Sequence, residues 1–290
     1  LNLGIKNKHK IDFINNIVYL YEYMGESIMD KIKNLIEDLS KRQEIESIAL
    51  GGSRATKLND NNSDYDLYVY LNSDLSKEVR KNILDKYCNY IELNNTYWEV
   101  EDDCYLNDGT IIEIIYRSVD EFENELKSVV LDCNAHNGYT TCMWSNINEC
   151  VVLYDKNNKL KDLKDKYDIK YPKELRRNII EKNLKLLDGY IPSFSTQIKK
   201  AIIRRDIVSI NHRITEFLAS YFDIIFAVNE LQHPGEKRLI SICLSSCKYL
   251  PKDFEENLEK LLSGNRNKEE VMLIVNKIVD NIKELVLDIK

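Results

Sequence analysis

Ile45-Glu46-Ser47-Ile48-Ala49-Leu50 runs into Gly51-Gly52-Ser53-Arg54-Ala55, and an Asn- and Asp-rich connection leads to Asp64-Tyr65-Asp66-Leu67-Tyr68-Val69-Tyr70-Leu71. These stretches decide how the first half of the chain folds. Residues 45–50 are a short apolar run of strand length, and residues 64–71 are rich in β-formers and read as a second strand. The Gly-Gly-Ser between them ends the first strand, because glycine lets the backbone turn tightly and approach a ligand closely. A helix starting at Ser53 would aim free N–H groups and a positive dipole end at whatever lies there, which suits a phosphate.

Working outward, Ile28, Ile32, Leu35, Ile36 and Leu39 repeat at helical spacing, so residues 28–41 are predicted to be a helix with one buried stripe. Residues 76–92 are predicted to be a helix with Val79, Ile83, Leu84, Tyr87 and Ile91 inward. Residues 97–100 and 110–116 read as strands, the second after an Asp108-Gly109 turn signal; residues 118–130 read as a helix and 150–154 as a strand. After residue 156 the pattern turns helical, over 172–189, 193–230, 235–248, 252–263 and 267–289. Pro172, Pro192, Pro234 and Pro251 each sit near an expected helix start. The expected class is α+β: a small mixed sheet with flanking helices, then an α-helical bundle. The expected divisions are a weakly integrated extension over 1–28, a catalytic domain over 29–155 and a helical domain over 156–290.

Composition narrows the function. A formal net charge of −7 argues against long duplex nucleic acid as partner, since phosphate contacts need a basic footprint. A small phosphorylated ligand needs only a few local cations and backbone N–H groups. No run of 18 or more apolar residues suggests a membrane span. Seven scattered cysteines without a CxxC pair point to reduced thiols and a cytoplasmic setting.

Asp64 and Asp66 would share one face of their strand, with Tyr65 on the other. Two carboxylates that close repel unless a cation lies between them. Magnesium prefers carboxylate and phosphate oxygens, so this pair beside a phosphate-cradling turn suits two Mg²⁺ ions and a nucleoside triphosphate. Glu113 is the expected third carboxylate, because it interrupts the apolar face of Ile111 and Ile115 and is costly to bury there alone. Glu99 and Glu101 are weaker candidates. Gly52, Ser53 and Arg54 are expected at the nucleotide phosphates.

Gly-Gly-Ser-Arg followed by Ser-Asp-Tyr-Asp-Leu resembles the signature of the DNA polymerase β-type nucleotidyltransferase superfamily. It resembles the compact bacterial branch that includes nucleotidyltransferases for aminoglycosides and lincosamides. Thr140-Thr141-Cys142-Met143-Trp144 and Val151-Val152-Leu153-Tyr154-Asp155 are similar to the later part of that catalytic domain. Phe226-Ala-Val-Asn-Glu230 and His233-Pro-Gly-Glu-Lys-Arg238 look like the helical domain of an uncharacterised subgroup. The resemblance implies a nucleoside triphosphate donor, ATP first among them, Mg²⁺ and attack by an acceptor hydroxyl. Asp64, Asp66 and Glu113 would be the catalytic and metal-binding residues.

The acceptor stays open between a small molecule, such as an antibiotic, and a protein or tRNA, as in antitoxin-type enzymes. The length of the chain and its negative charge favour the small molecule. A different class, a nucleotide- or partner-binding module without turnover, stands beside the enzyme. Lys237 and Arg238, at an expected helix start, are candidates for phosphate contact, with a solvated surface as the plainer alternative. Arg204, Asp206 and Arg213 are weighed the same way, on a long helix, as cleft or surface residues. His136 and His233 are isolated and read as structural.

Overall fold

Leu50 of the first strand lies opposite Leu67 of the second, and the sheet is laid down outward from that pairing. The computed structural model describes residues 26–56, 63–97, 99–263 and 268–289. In chain order the sheet region runs α1 (Glu26–Ser40), β1 (Ile45–Leu50), the single turn α2 (Gly52–Ala55), β2 (Tyr65–Leu71), α3 (Lys77–Leu84), β3 (Cys88–Asn95), β4 (Val100–Leu106), β5 (Ile111–Ser118) and α4 (Val119–Leu126). A π-helical turn (Lys127–Leu131), α5 (Cys142–Glu149), β6 (Val151–Asp155) and α6 (Lys159–Tyr167) follow. The six-stranded sheet has the order β3-β4-β5-β2-β1-β6, and only β2 and β5 run parallel, so it is mixed.

Alternation sorts the strand residues. Leu67 and Val69 of β2, Ile112 and Ile114 of β5, and Cys104 and Leu106 of β4 join Ile32, Leu35 and Leu39 of α1 in one core. Each fully buried aliphatic side chain contributes about 1.5–3 kcal/mol, so this covered face fixes register as well as stability. The opposite face of β2, β5 and β4 carries Asp66, Glu113 and Asp103. These carboxylates are therefore displayed on a platform held from behind by the core.

Two compact units interleave along the chain: Leu1–Glu125 with Asn146–Asp168, and Leu126–Ser145 with Ile169–Lys290. The second contains α7 (Lys173–Asp188), α8 (Phe194–Arg204), α9 (Ile207–Val228), α10 (Leu239–Ser246), α11 (Phe254–Leu262) and α12 (Lys268–Asp288). Its core forms where α9 packs against α7 and α8. Here Asp223 of α9, 1% exposed, accepts from the Thr140 N–H (3.0 Å), the Thr140 hydroxyl (2.6 Å) and the Asn183 amide (3.0 Å). The α+β class expected from the sequence is the class observed. Among the described residues no helix is long and apolar enough to cross a membrane.

Several expected elements are corrected. The helix expected over 76–92 stops at Leu84, and residues from Cys88 form β3. Pairing with β4, which sets Ile91 opposite Cys104, outweighs the helical spacing of Tyr87 and Ile91. The strand expected over 97–100 begins only at Val100 and continues through Glu101-Asp102-Asp103, too acidic to read as strand from sequence. Trp98 lies outside the described residues. The helix expected over 193–230 is broken: Arg205 takes a left-handed conformation (φ 60°), and the Asp206 carboxylate accepts from the Ser209 N–H at 3.0 Å to cap α9. Asp206 is thus a helix cap. The helix expected from 235 begins at Leu239, and α5 and α6 were not expected at all. The extension expected over 1–28 lies almost wholly outside the described residues.

Candidate active site

At the start of β2 the chain packs so closely that only glycine fits. Gly51 donates its N–H to the Asp66 carbonyl at 2.8 Å. A Cβ on Gly51 would fall 1.9 Å from the Tyr68 ring. Gly52 has φ +60°, and a Cβ there would fall 1.7 Å from Asp66 Oδ2. The Asp66 carboxylate thus lies against the bare α-carbon of Gly52. The glycine pair serves the carboxylate as well as the turn. Ser53 follows in α2, half-buried, where the first N–H groups of a helical turn have no acceptor within it.

Arg54 was expected at the nucleotide. Its Nε donates to the Asp64 carbonyl at 2.8 Å and its Nη2 to the Ser63 carbonyl, while the guanidinium lies 4.1 Å from the centre of the Tyr65 ring. Its visible work is to fix the backbone that delivers Asp64, which makes it a positioning residue. Behind the turn, Arg117 of β5 forks onto both oxygens of Glu99 at 2.7 Å each and lies 4.2 Å from the Tyr68 ring. Glu99 is therefore engaged in a largely buried ion pair rather than presented to a ligand.

The parallel register sets Glu113 beside Asp66. The antiparallel register on its other side sets Asp103 beside Glu113. Glu113 is half-buried, and its pKa is pushed up to about 7, first by loss of water and then by the charges of Asp64, Asp66, Asp103 and Glu101. Burial, with Asp103 and Glu99, also raises Glu101. This is the field of several carboxylates held close together. Among the described residues, no group of three or more His, Cys, Asp or Glu side chains stands ready to hold a metal ion. Asp64, Asp66 and Glu113 are neighbours in charge and register without forming a closed cage. Their all-oxygen donor set suits Mg²⁺, which takes few protein carboxylates and keeps water and phosphate oxygens. Sequence reading missed Asp103. Its signal was present in the alternation of Glu101, Asp103 and Tyr105 against Asp102, Cys104 and Leu106.

Residues 32–131 match the family model described as "Nucleotidyltransferase domain". This segment is similar to nucleotidyltransferase domains. It carries the Gly-Gly turn, both aspartates and Glu113. Residues 141–239 match a second family, described as "Domain of unknown function (DUF4037)". No curated protein matches the chain. Among solved structures, the chain is similar to a nucleotidyltransferase-like protein from Exiguobacterium sibiricum 255-15, with 14% identity, a TM-score of 0.44, and coverage of 90% of this chain and 75% of that one. It is also similar to an aminoglycoside 6-adenyltransferase from Bacillus subtilis, with 12% identity, a TM-score of 0.29, and coverage of 88% and 90%.

The remaining candidates lie outside residues 32–131. Lys237 and Arg238 lie in the helical unit, exposed, in the turn before α10, where Arg238 has φ +60°. Arg204 ends α8, and Arg213 lies on α9. His233 is buried between the rings of Tyr139 and Phe226, at 4.8 and 4.9 Å, and burial lowers its pKa to about 3. It is a neutral packing residue, as its isolation in the sequence suggested.

Proposed function

We propose that the chain transfers a nucleoside monophosphate from a nucleoside triphosphate, ATP first among them, to a hydroxyl of a small-molecule acceptor. Mg²⁺ would be bound by Asp64, Asp66 and Glu113. The observation that carries the reading is the contact of the Asp66 carboxylate with Gly52 and its register with Glu113. It supports a reading in which Asp66 and Glu113, with Asp64 two residues before Asp66, work beside a backbone turn suited to phosphates. In this reading Gly52 and Ser53 hold the terminal phosphates, and Arg54 keeps Asp64 in place. Bound metal would offset phosphate charge and lower the pKa of the attacking hydroxyl. Glu113 either completes the metal site or itself accepts the proton of that hydroxyl. The negative net charge supports a small acceptor over tRNA.

Pyrophosphate release with Mg-ATP and a panel of hydroxyl-bearing acceptors tests the reading, with Asp64→Asn and Asp66→Asn as controls. Either variant keeping full turnover would remove the assigned mechanism. One rival reading is nucleotide binding without transfer. Calorimetric titration with ATP separates the two. Binding that ignores Mg²⁺, with no pyrophosphate released, selects the rival.

A further inference from the structure

The helical unit holds a cavity of about 1070 Å³ that the proposed transfer chemistry does not use. Three helices wall it. Leu218 and Phe222 of α9 face Leu239 and Leu244 of α10, and α11 contributes Leu262. The volume is that of a site for a drug-sized molecule, and the lining is the usual one: mostly apolar, with a few placed polar groups.

Its charged groups are uneven in sign. Glu236 and Glu255 line it, with Arg238 as the opposing cation, and Arg238 is already engaged in an interaction. A third carboxylate, Glu216, stands with Glu236 close enough to Tyr139 to raise its phenol, after burial itself. Tyr139 also lines the cavity and is 37% exposed.

Tyr139 is held there against its own preference. Its φ is 55°, a left-handed conformation that is strained for a bulky residue. Gly138 before it has φ +86°, and a Cβ there would meet the Ala219 backbone at 2.9 Å. Thr140 after it is anchored on Asp223, and the Thr141 hydroxyl accepts from the His233 N–H at 2.8 Å. A buried network therefore fixes one aromatic residue at the cavity. Carboxylates beside an aromatic face attract a cation and disfavour an anion.

We propose that this cavity binds an amphipathic small molecule with an apolar ring body and a protonated amine, the body against Leu218, Phe222 and Leu244 and the amine near Tyr139, Glu236 and Glu255. The site is independent of the transfer reaction, and it is tested without nucleotide or Mg²⁺, so failure of either reading leaves the other standing.

Three fluorescent probes of one shape separate the possibilities: 9-(aminomethyl)anthracene, 9-anthracenemethanol and 9-anthracenecarboxylate, titrated into the full chain at pH 7.5. The amine is expected to bind at least tenfold tighter than the carboxylate, with the alcohol between. Ser241→Trp, which fills the cavity from an exposed position, is expected to weaken the amine at least tenfold. Leu244→Arg, also at a half-exposed position, serves the same purpose if the first variant melts early. Glu236→Gln with Glu255→Gln is expected to bring the amine to the level of the alcohol. Absence of saturable binding, a carboxylate that binds as well as the amine, or an amine unaffected by a folded cavity variant would overturn the proposal. So would an amine advantage that survives loss of both carboxylates.

Discussion

Gly52 has no room for a Cβ because Asp66 Oδ2 occupies the place, 1.7 Å from where that atom would lie. Gly52→Ala is therefore expected to strain the backbone at φ +60° and to displace the carboxylate together. A forced left-handed residue costs about 1–2 kcal/mol. The displaced carboxylate should cost at least 100-fold in turnover under the proposed function, since a misplacement of about 1 Å has that scale. Denaturant midpoints and pyrophosphate release, measured on the same samples, check the two effects. Turnover near that of the parent would show that the contact does not matter to the chemistry.

That contact also marks what could be read in advance. The Gly-Gly turn, the Asp pair and Glu113 were legible because strand alternation and glycine's lack of a side chain act over a few residues. Asp103 and the capping role of Asp206 were not. Asp103 becomes Glu113's neighbour only through pairing of β4 with β5, and Glu101-Asp102-Asp103 has the composition of a loop. Asp206 caps α9 because Arg205 leaves the helix, which the apolar spacing across residues 193–230 does not reveal. Residues 88–92 were read as helix for the same reason, since their strand state depends on β4. Local rules reached the turn and the first carboxylates; partner strands decided the rest.

Glu113 supplies a pH prediction for the metal-free protein. Its folded pKa of about 7 lies above the ordinary value of 4.5 for a glutamate, so between those values the folded state binds more protons than the unfolded state. Its contribution to stability is fully present below about pH 4.5 and is lost as pH rises through about 7. Glu113→Gln should flatten this part of the stability curve. Mg²⁺ should also flatten it by offsetting the carboxylate charges. Chemical denaturation at stepped pH, with chelator and with Mg²⁺, measures both; equal slopes for parent and variant would remove Glu113 as their source.

Asp223 gives a second test in the helical unit. Burial raises its pKa to about 6 despite the donors of Thr140 and Asn183. The sign is the same: its contribution is present below about 3.8 and is lost as pH rises through about 6. Asp223→Ala leaves the Thr140 N–H and hydroxyl without their buried acceptor and should cost about 2–4 kcal/mol at neutral pH. Asp223→Asn keeps one acceptor oxygen and should cost less. Thermal and urea unfolding of both variants check the order, and a milder effect for the alanine would contradict the assigned hydrogen bonds.

Arg117 tests the support behind the glycine turn. Its guanidinium forks onto both Glu99 oxygens, donates to Asn146 Oδ1 at 2.9 Å, and lies beside the Tyr68 ring on which Gly51 closes. Lysine keeps the charge but cannot make the planar fork or stack in the same way. Arg117→Lys is expected to cost less than the about 3–5 kcal/mol of a buried pair that loses one partner, because lysine keeps the charge and Glu99 is partly exposed. Because Arg117 reaches the turn only through the Tyr68 ring against which Gly51 packs, turnover should fall less than in Gly52→Ala, and the pH dependence assigned to Glu113 should persist. If Arg117→Lys matched the parent in stability, the fork would be a surface ion pair in effect, and the line of contacts from Arg117 through Tyr68 to Gly51 would lose its structural role.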